Sequence, residues 1–124
     1  RFADLLGEPE APDWLAELRE RGVHFEVCPT SNVHTGAAAS VAAHPIGALW
    51  RAGVSLSFHT DNRLMSCTDM VVEAQALRRE AGFSWDDLRH MGLLAAEASF
   101  LPEADRAAAD AALRAWRPPA DPAA

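Results

Sequence analysis

Two short stretches of the chain alternate apolar and polar residues without interruption. In the first, Val23, Phe25 and Val27 share one side, while His24, Glu26 and Cys28 share the other. In the second, Val54, Leu56 and Phe58 oppose Ser55, Ser57, His59 and then Asp61. A period of two predicts strands, each with one dry and one wet face. Elsewhere the period lengthens to that of a helix. Asp13 as N-cap, the apolar set Trp14, Leu15 and Leu18, and Gly22 as a stop predict a first helix. Pro45 in the first turn and Gly53 just past the end bracket a second, over about residues 42–52. Between the first strand and that helix, residues 29–40 read as irregular, with turn chemistry at Ser31, Asn32 and Gly36.

Beyond the second strand the pattern is helical throughout. Met70, Val71, Ala74 and Leu77 recur at helical spacing between Asp69 and Gly82. Ser84, with Asp87 at the capping-box position, opens a helix running toward Phe100, with a break expected near Gly92. A last, Ala-rich helix enters through Pro102 and runs over residues 103–116. Residues 1–12 read as an irregular lead-in, and residues 117–124 as a disordered tail.

Strands separated by a crossover helix predict parallel βαβ pairing and an α/β fold. Two strands alone are a poor sheet, because both edges lack partners. A closed β/α barrel resolves this: the apolar strand faces meet outer helices and the polar faces line the interior. In such barrels the chemistry sits at the C-terminal strand ends.

Composition narrows the classes. The 124 residues carry a net charge of −7, which argues against a protein that coats nucleic acid through a basic stripe. The chain has no lysine, which excludes a Schiff-base lysine and a Walker-type phosphate loop. Apolar residues make up 49%, yet 26 positions are Ala, so the core is thinner than that fraction implies. No run approaches the roughly 20 apolar residues of a membrane span. Two cysteines, Cys28 and Cys67, do not make a disulfide scaffold, and a reducing cytoplasm is the expected setting. The chain opens on Arg1 and not Met, so further residues are expected upstream.

The most chemically loaded stretches are the two strand ends, Cys28-Pro29-Thr30-Ser31-Asn32 and His59-Thr60-Asp61-Asn62. Residues 23–36 (VHFEVCPTSNVHTG), 54–62 (VSLSFHTDN) and 99–102 (SFLP), in this order and spacing, resemble the C-terminal third of the adenosine deaminase family. The resemblance covers roughly residues 22–116. It implies the C-terminal part of a TIM (β/α)8 barrel, with two parallel strands, their flanking helices and a missing N-terminal barrel portion. Residues 1–116 would form this partial barrel. The family activity it implies is zinc-dependent hydrolysis of adenosine or deoxyadenosine to inosine or deoxyinosine and ammonia.

Residue by residue, the resemblance makes Asp61 the aspartate on the last strand that ligates zinc and serves catalysis. Ser31 matches a serine that braces this aspartate. Asn62 stands where many members carry a second aspartate that binds purine N7. An amide donates to that acceptor at any pH, whereas a carboxyl must be protonated first. The family's histidine ligands and ring-protonating glutamate have no counterpart here, since the chain holds no His-x-His and no His-x-x-Glu. The implied partners are a purine nucleoside and the missing barrel portion, with no nucleic acid or membrane.

Other polar residues carry plainer expectations. His59 and Glu26 line the interior, His24 is structural, and His44 helps start a helix. Asn32 holds its loop through bonds to backbone, and Cys28 is a buried thiol. Two rival functions stay open. One is a related deaminase acting on adenine, AMP or a modified adenine nucleotide. The other is a truncated, non-catalytic module whose exposed sheet edges bind another chain.

Overall fold

The computed structural model describes residues 6–8 and 11–119. The chain runs α1 (Ala11–Glu20), β1 (His24–Val27), α2 (Pro29–His34), α3 (Ile46–Arg51), β2 (Ser55–Phe58), α4 (Arg63–Ser66), α5 (Met70–Ala81), α6 (Trp85–Ala98) and α7 (Glu103–Ala115). Both alternating stretches are strands, and they pair in parallel, with His24 opposite Ser55 and Val27 opposite Phe58. Among the described residues the sheet has these two strands and no third. His59 N–H donates to Val27 O at 2.8 Å, carrying the ladder one residue past the end of β2.

The dry faces behave as their pattern predicts. Val54, Leu56 and Phe58 are buried in one cluster with Val27, Ile46, Leu49, Leu77, Phe83, Leu88 and Met91. This core joins the sheet to α3, α5 and α6. Helix α6 packs on both β2 and α7. On the wet face Ser57 is buried while Glu26 is exposed.

Several expectations need correction. Residues 29–34 are not irregular: they form α2, with Pro29 in its first turn. Proline suits that position because its fixed φ is helical and its missing N–H would have had no partner. The second helix starts at Ile46, with Pro45 as N-cap, and residues 42–45 are not helical. There His44 Nδ1 accepts the N–H of Ile46 at 3.0 Å. Helix α6 runs unbroken through Gly92. A Cβ there would lie 3.1 Å from Leu113 Cδ2, so this glycine serves close packing of α7 on α6.

The expected apolar face of α5 is only partly buried. Leu77 is in the core, but Met70 and Val71 are exposed, and the fully buried residue one turn before Leu77 is Glu73. Helix α1 begins at Ala11, two residues ahead of the expected cap. Residues 117–119 lack regular structure; the rest of the expected tail, and residues 1–5 and 9–10 of the lead-in, lie outside the described residues.

Candidate metal and substrate site at the strand ends

Beyond β2 the chain turns sharply at Asp61, which adopts a left-handed conformation with φ of +55°. Aspartate accepts this region better than most side chains, though at a cost that glycine avoids. Asn62 then caps α4, its Oδ1 accepting the N–H groups of Leu64 at 3.1 Å and Met65 at 3.0 Å. Beyond β1 the chain passes Cys28 into α2, whose first turn carries Ser31. The Ser31 hydroxyl donates to Asp61 Oδ2 at 2.8 Å. An exposed carboxylate therefore stands between the C-terminal ends of two parallel strands, with one oxygen held by a buried serine.

Cys28 lies beside this pair. Burial pushes its thiol pKa up, and the carboxylates of Asp61, Glu73 and Glu26 push the same way. A hydrogen bond from the Asp61 backbone opposes them without reversing the shift. These effects together favour the protonated, packed thiol.

Along the wet face, His24 spans both strands. Its Nδ1 lies 2.8 Å from Ser55 Oγ and its Nε2 lies 2.8 Å from Ser57 Oγ. Ser57 Oγ lies 2.6 Å from His59 Nε2, completing a row of four polar side chains. Burial, then the neighbouring His59, holds the His24 pKa below its ordinary value against the pull of Glu26 and Glu97. His24, Ser57 and His59, with Glu26, line a small cleft against the C-terminal end of α6, near Ala98 and Ser99.

Asn32 departs from its expected role. Its side chain takes a hydrogen bond from another side chain, His44, at 2.9 Å between Oδ1 and Nε2. Because His44 Nδ1 accepts a backbone N–H, its proton sits on Nε2, which fixes the direction of the bond to Asn32. Burial lowers the pKa of His44.

The residue that sequence reasoning missed is Glu73. Its side chain is 0% exposed, Oε1 accepts the Thr68 hydroxyl at 2.8 Å, and Oε2 accepts the Thr30 N–H at 3.3 Å. The available signal was a carboxylate four residues before Leu77, in line with the buried side of its helix.

Among the described residues no group of three or more His, Cys, Asp or Glu side chains could hold a metal. A catalytic zinc takes about three protein ligands. Asp61 fits as one of them, and the others would have to come from outside the described residues. No helix among these residues is long and apolar enough to cross a membrane.

A parallel strand pair with helices on its apolar face and polar groups at its C-terminal ends defines a segment of an α/β barrel. Two solved structures share this fold. The adenine deaminase from Arthrobacter aurescens superposes with a TM-score of 0.80 at 22% identity, over 84% of this chain and 32% of that one. The N6-methyl-AMP deaminase from Arabidopsis thaliana gives 0.73 at 23% identity, over 86% of this chain and 31% of that one.

The family model for adenosine deaminase matches residues 8–115, and the chain belongs to that family. It is 40% identical over 105 residues to an adenosine deaminase of Mycolicibacterium gilvum, covering 85% of this chain and 29% of that protein. It is 44% identical over 87 residues to the adenosine deaminase of Mycobacterium tuberculosis H37Rv, covering 70% of this chain and 24% of that protein. The chain thus spans less than a third of these curated relatives.

Proposed function

We propose that the protein to which this chain contributes hydrolyses the 6-amino group of adenosine or deoxyadenosine, releasing ammonia and the 6-oxo nucleoside. The observation that carries this reading is the 2.8 Å hydrogen bond from Ser31 to Asp61 at the shared mouth of two parallel strands. Family membership and the names of the mycobacterial relatives support the substrate class.

In this reading Asp61 is one zinc ligand. When bound, zinc supplies a water acidic enough to act as a nucleophile near neutral pH. Ser31 holds Asp61 Oδ2 and so limits rotation of the carboxylate, fixing where its other oxygen is presented. Asn62 donates from its amide to purine N7. Its Oδ1 is engaged with the start of α4, which leaves Nδ2 as the edge for a ligand.

The test uses the full-length protein with Asp61→Ala. Zinc content should fall below one per protomer, and turnover of adenosine should fall by orders of magnitude. Survival of both would overturn the assignment. A second reading, in which the substrate is adenine, AMP or a modified adenine nucleotide, rests on Asn62 replacing the aspartate found in many family members. Turnover of adenosine, adenine and AMP compared side by side separates the two.

A further inference from the structure

We infer that Glu73 is a positioning residue for the proposed zinc site, holding from behind the two chain segments that carry Ser31 and Asp61. The inference rests on reading Asp61 as a ligand. Glu73 reaches both segments through Thr30 and Thr68. Its Oε2 accepts the N–H of Thr30, the residue just before Ser31. Its Oε1 accepts the hydroxyl of Thr68, which lies on the segment that leaves Asp61 through α4. The Ser31–Asp61 bond ties the same two segments at the front. Together these contacts close a ring: Asp61 to Thr68 along the chain, across Glu73 to Thr30, and through Ser31 back to Asp61.

The burial of this carboxylate argues for such a role. Its side chain is 0% exposed and its helix neighbour Leu77 is equally buried, so an apolar residue could occupy the position. Desolvating a carboxylate costs more than two hydrogen bonds from neutral donors return, and replacing a buried charge by a hydrophobe of similar size is often neutral for stability. What an apolar side chain cannot do is accept from Thr30 and Thr68 at once. Without Glu73 both donors lose a partner, and the first turn of α2 is free to shift relative to Asp61.

The experiment compares full-length, zinc-loaded wild type with Glu73→Leu and Glu73→Gln. It reads zinc transfer to a chelator, kcat and KM separately, and amide hydrogen exchange at Thr30. Outer partners of metal ligands typically contribute 10–100-fold to metal affinity or activity. Glu73→Leu should therefore weaken zinc retention and kcat by about 10–100-fold, with KM little changed and Thr30 exchange accelerated. Glu73→Gln should lie in between, because a glutamine can serve both donors if the Thr68 hydroxyl reverses, but with a neutral acceptor.

In a Ser31→Ala background, Glu73→Leu should add little further loss, since its route to Asp61 is already cut. Multiplying losses would mean an independent structural role and overturn the inference. Wild-type zinc retention and kcat in Glu73→Leu, with both lost in Asp61→Ala, would overturn it while leaving the proposed function intact. Retention of both in Asp61→Ala would overturn the two together. If Glu73→Leu does not fold, Glu73→Gln decides: unchanged Thr30 exchange and unchanged zinc retention would overturn the inference.

Discussion

Burial and hydrogen bonds set the protonation or the direction of several side chains near the strand ends. His44 is the clearest case, because protonating Nδ1 would break its bond from Ile46 N–H. Its folded pKa lies below the ordinary 6.5, so the folded state binds fewer protons than the unfolded one. Its contribution is therefore complete above about pH 6.5 and is lost as pH falls from there through the lowered value. In the full-length protein, the thermal midpoint should drop on acidification, and His44→Gln should flatten the slope; an unchanged slope would count against it. Cys28 and Cys67 should also part company. Cys28 is partly buried with a raised pKa, and Cys67 is exposed. Iodoacetamide near pH 8 should label Cys67 first, as peptide mapping would show. Asn62→Asp makes a third prediction. An aspartate must be protonated to donate to N7, so kcat/KM should decline as pH rises, unlike the wild-type profile. Identical profiles would mean that residue 62 does not contact the base.

At the level of elements, the strand faces and two helix caps were readable, while the cap of α1 and several helix contacts were not. Asp69 and Ser84 cap α5 and α6 as their residue types indicate, and the Ser84–Asp87 capping box is complete. Ser84→Ala should cost about 1 kcal/mol in denaturant unfolding. Local signals of this kind span four residues and need no knowledge of the fold. Gly92 misled because its reason lies at Leu113, in the next helix, and a glycine in isolation reads as a breaker. Helix α2 was invisible for a different cause. Six residues show less than two helical turns, too few for a period, and the Ser, Asn and Thr among them favour turns equally. At the candidate site, Asp61, Asn62 and Ser31 were singled out through the resemblance of two motifs, and the structure joins Ser31 to Asp61. Glu73 was hidden because its partners, Thr30 and Thr68, lie outside its own helix. A buried Leu in the same core tests the packing directly: Leu56→Ala should cost about 2–5 kcal/mol.

For the molecule as a whole, the unfinished sheet dominates. Two parallel strands expose both outer edges and a wet face bearing Glu26 among the described residues. Residues 1–124 made alone should bind hydrophobic dyes and melt without cooperativity. A sharp, cooperative melt of a monomer would show instead that the helices suffice. The left-handed turn at Asp61 adds a consequence for how such a protein ages. Replacing that aspartate by glycine would relieve about 1 kcal/mol of backbone strain and leave the buried Ser31 hydroxyl without its acceptor, at about 1–3 kcal/mol. The net cost is at most about 2 kcal/mol. In a gene copy released from selection, Asp61 is therefore lost at modest cost in stability, and a screen for solubility alone would pass the variant.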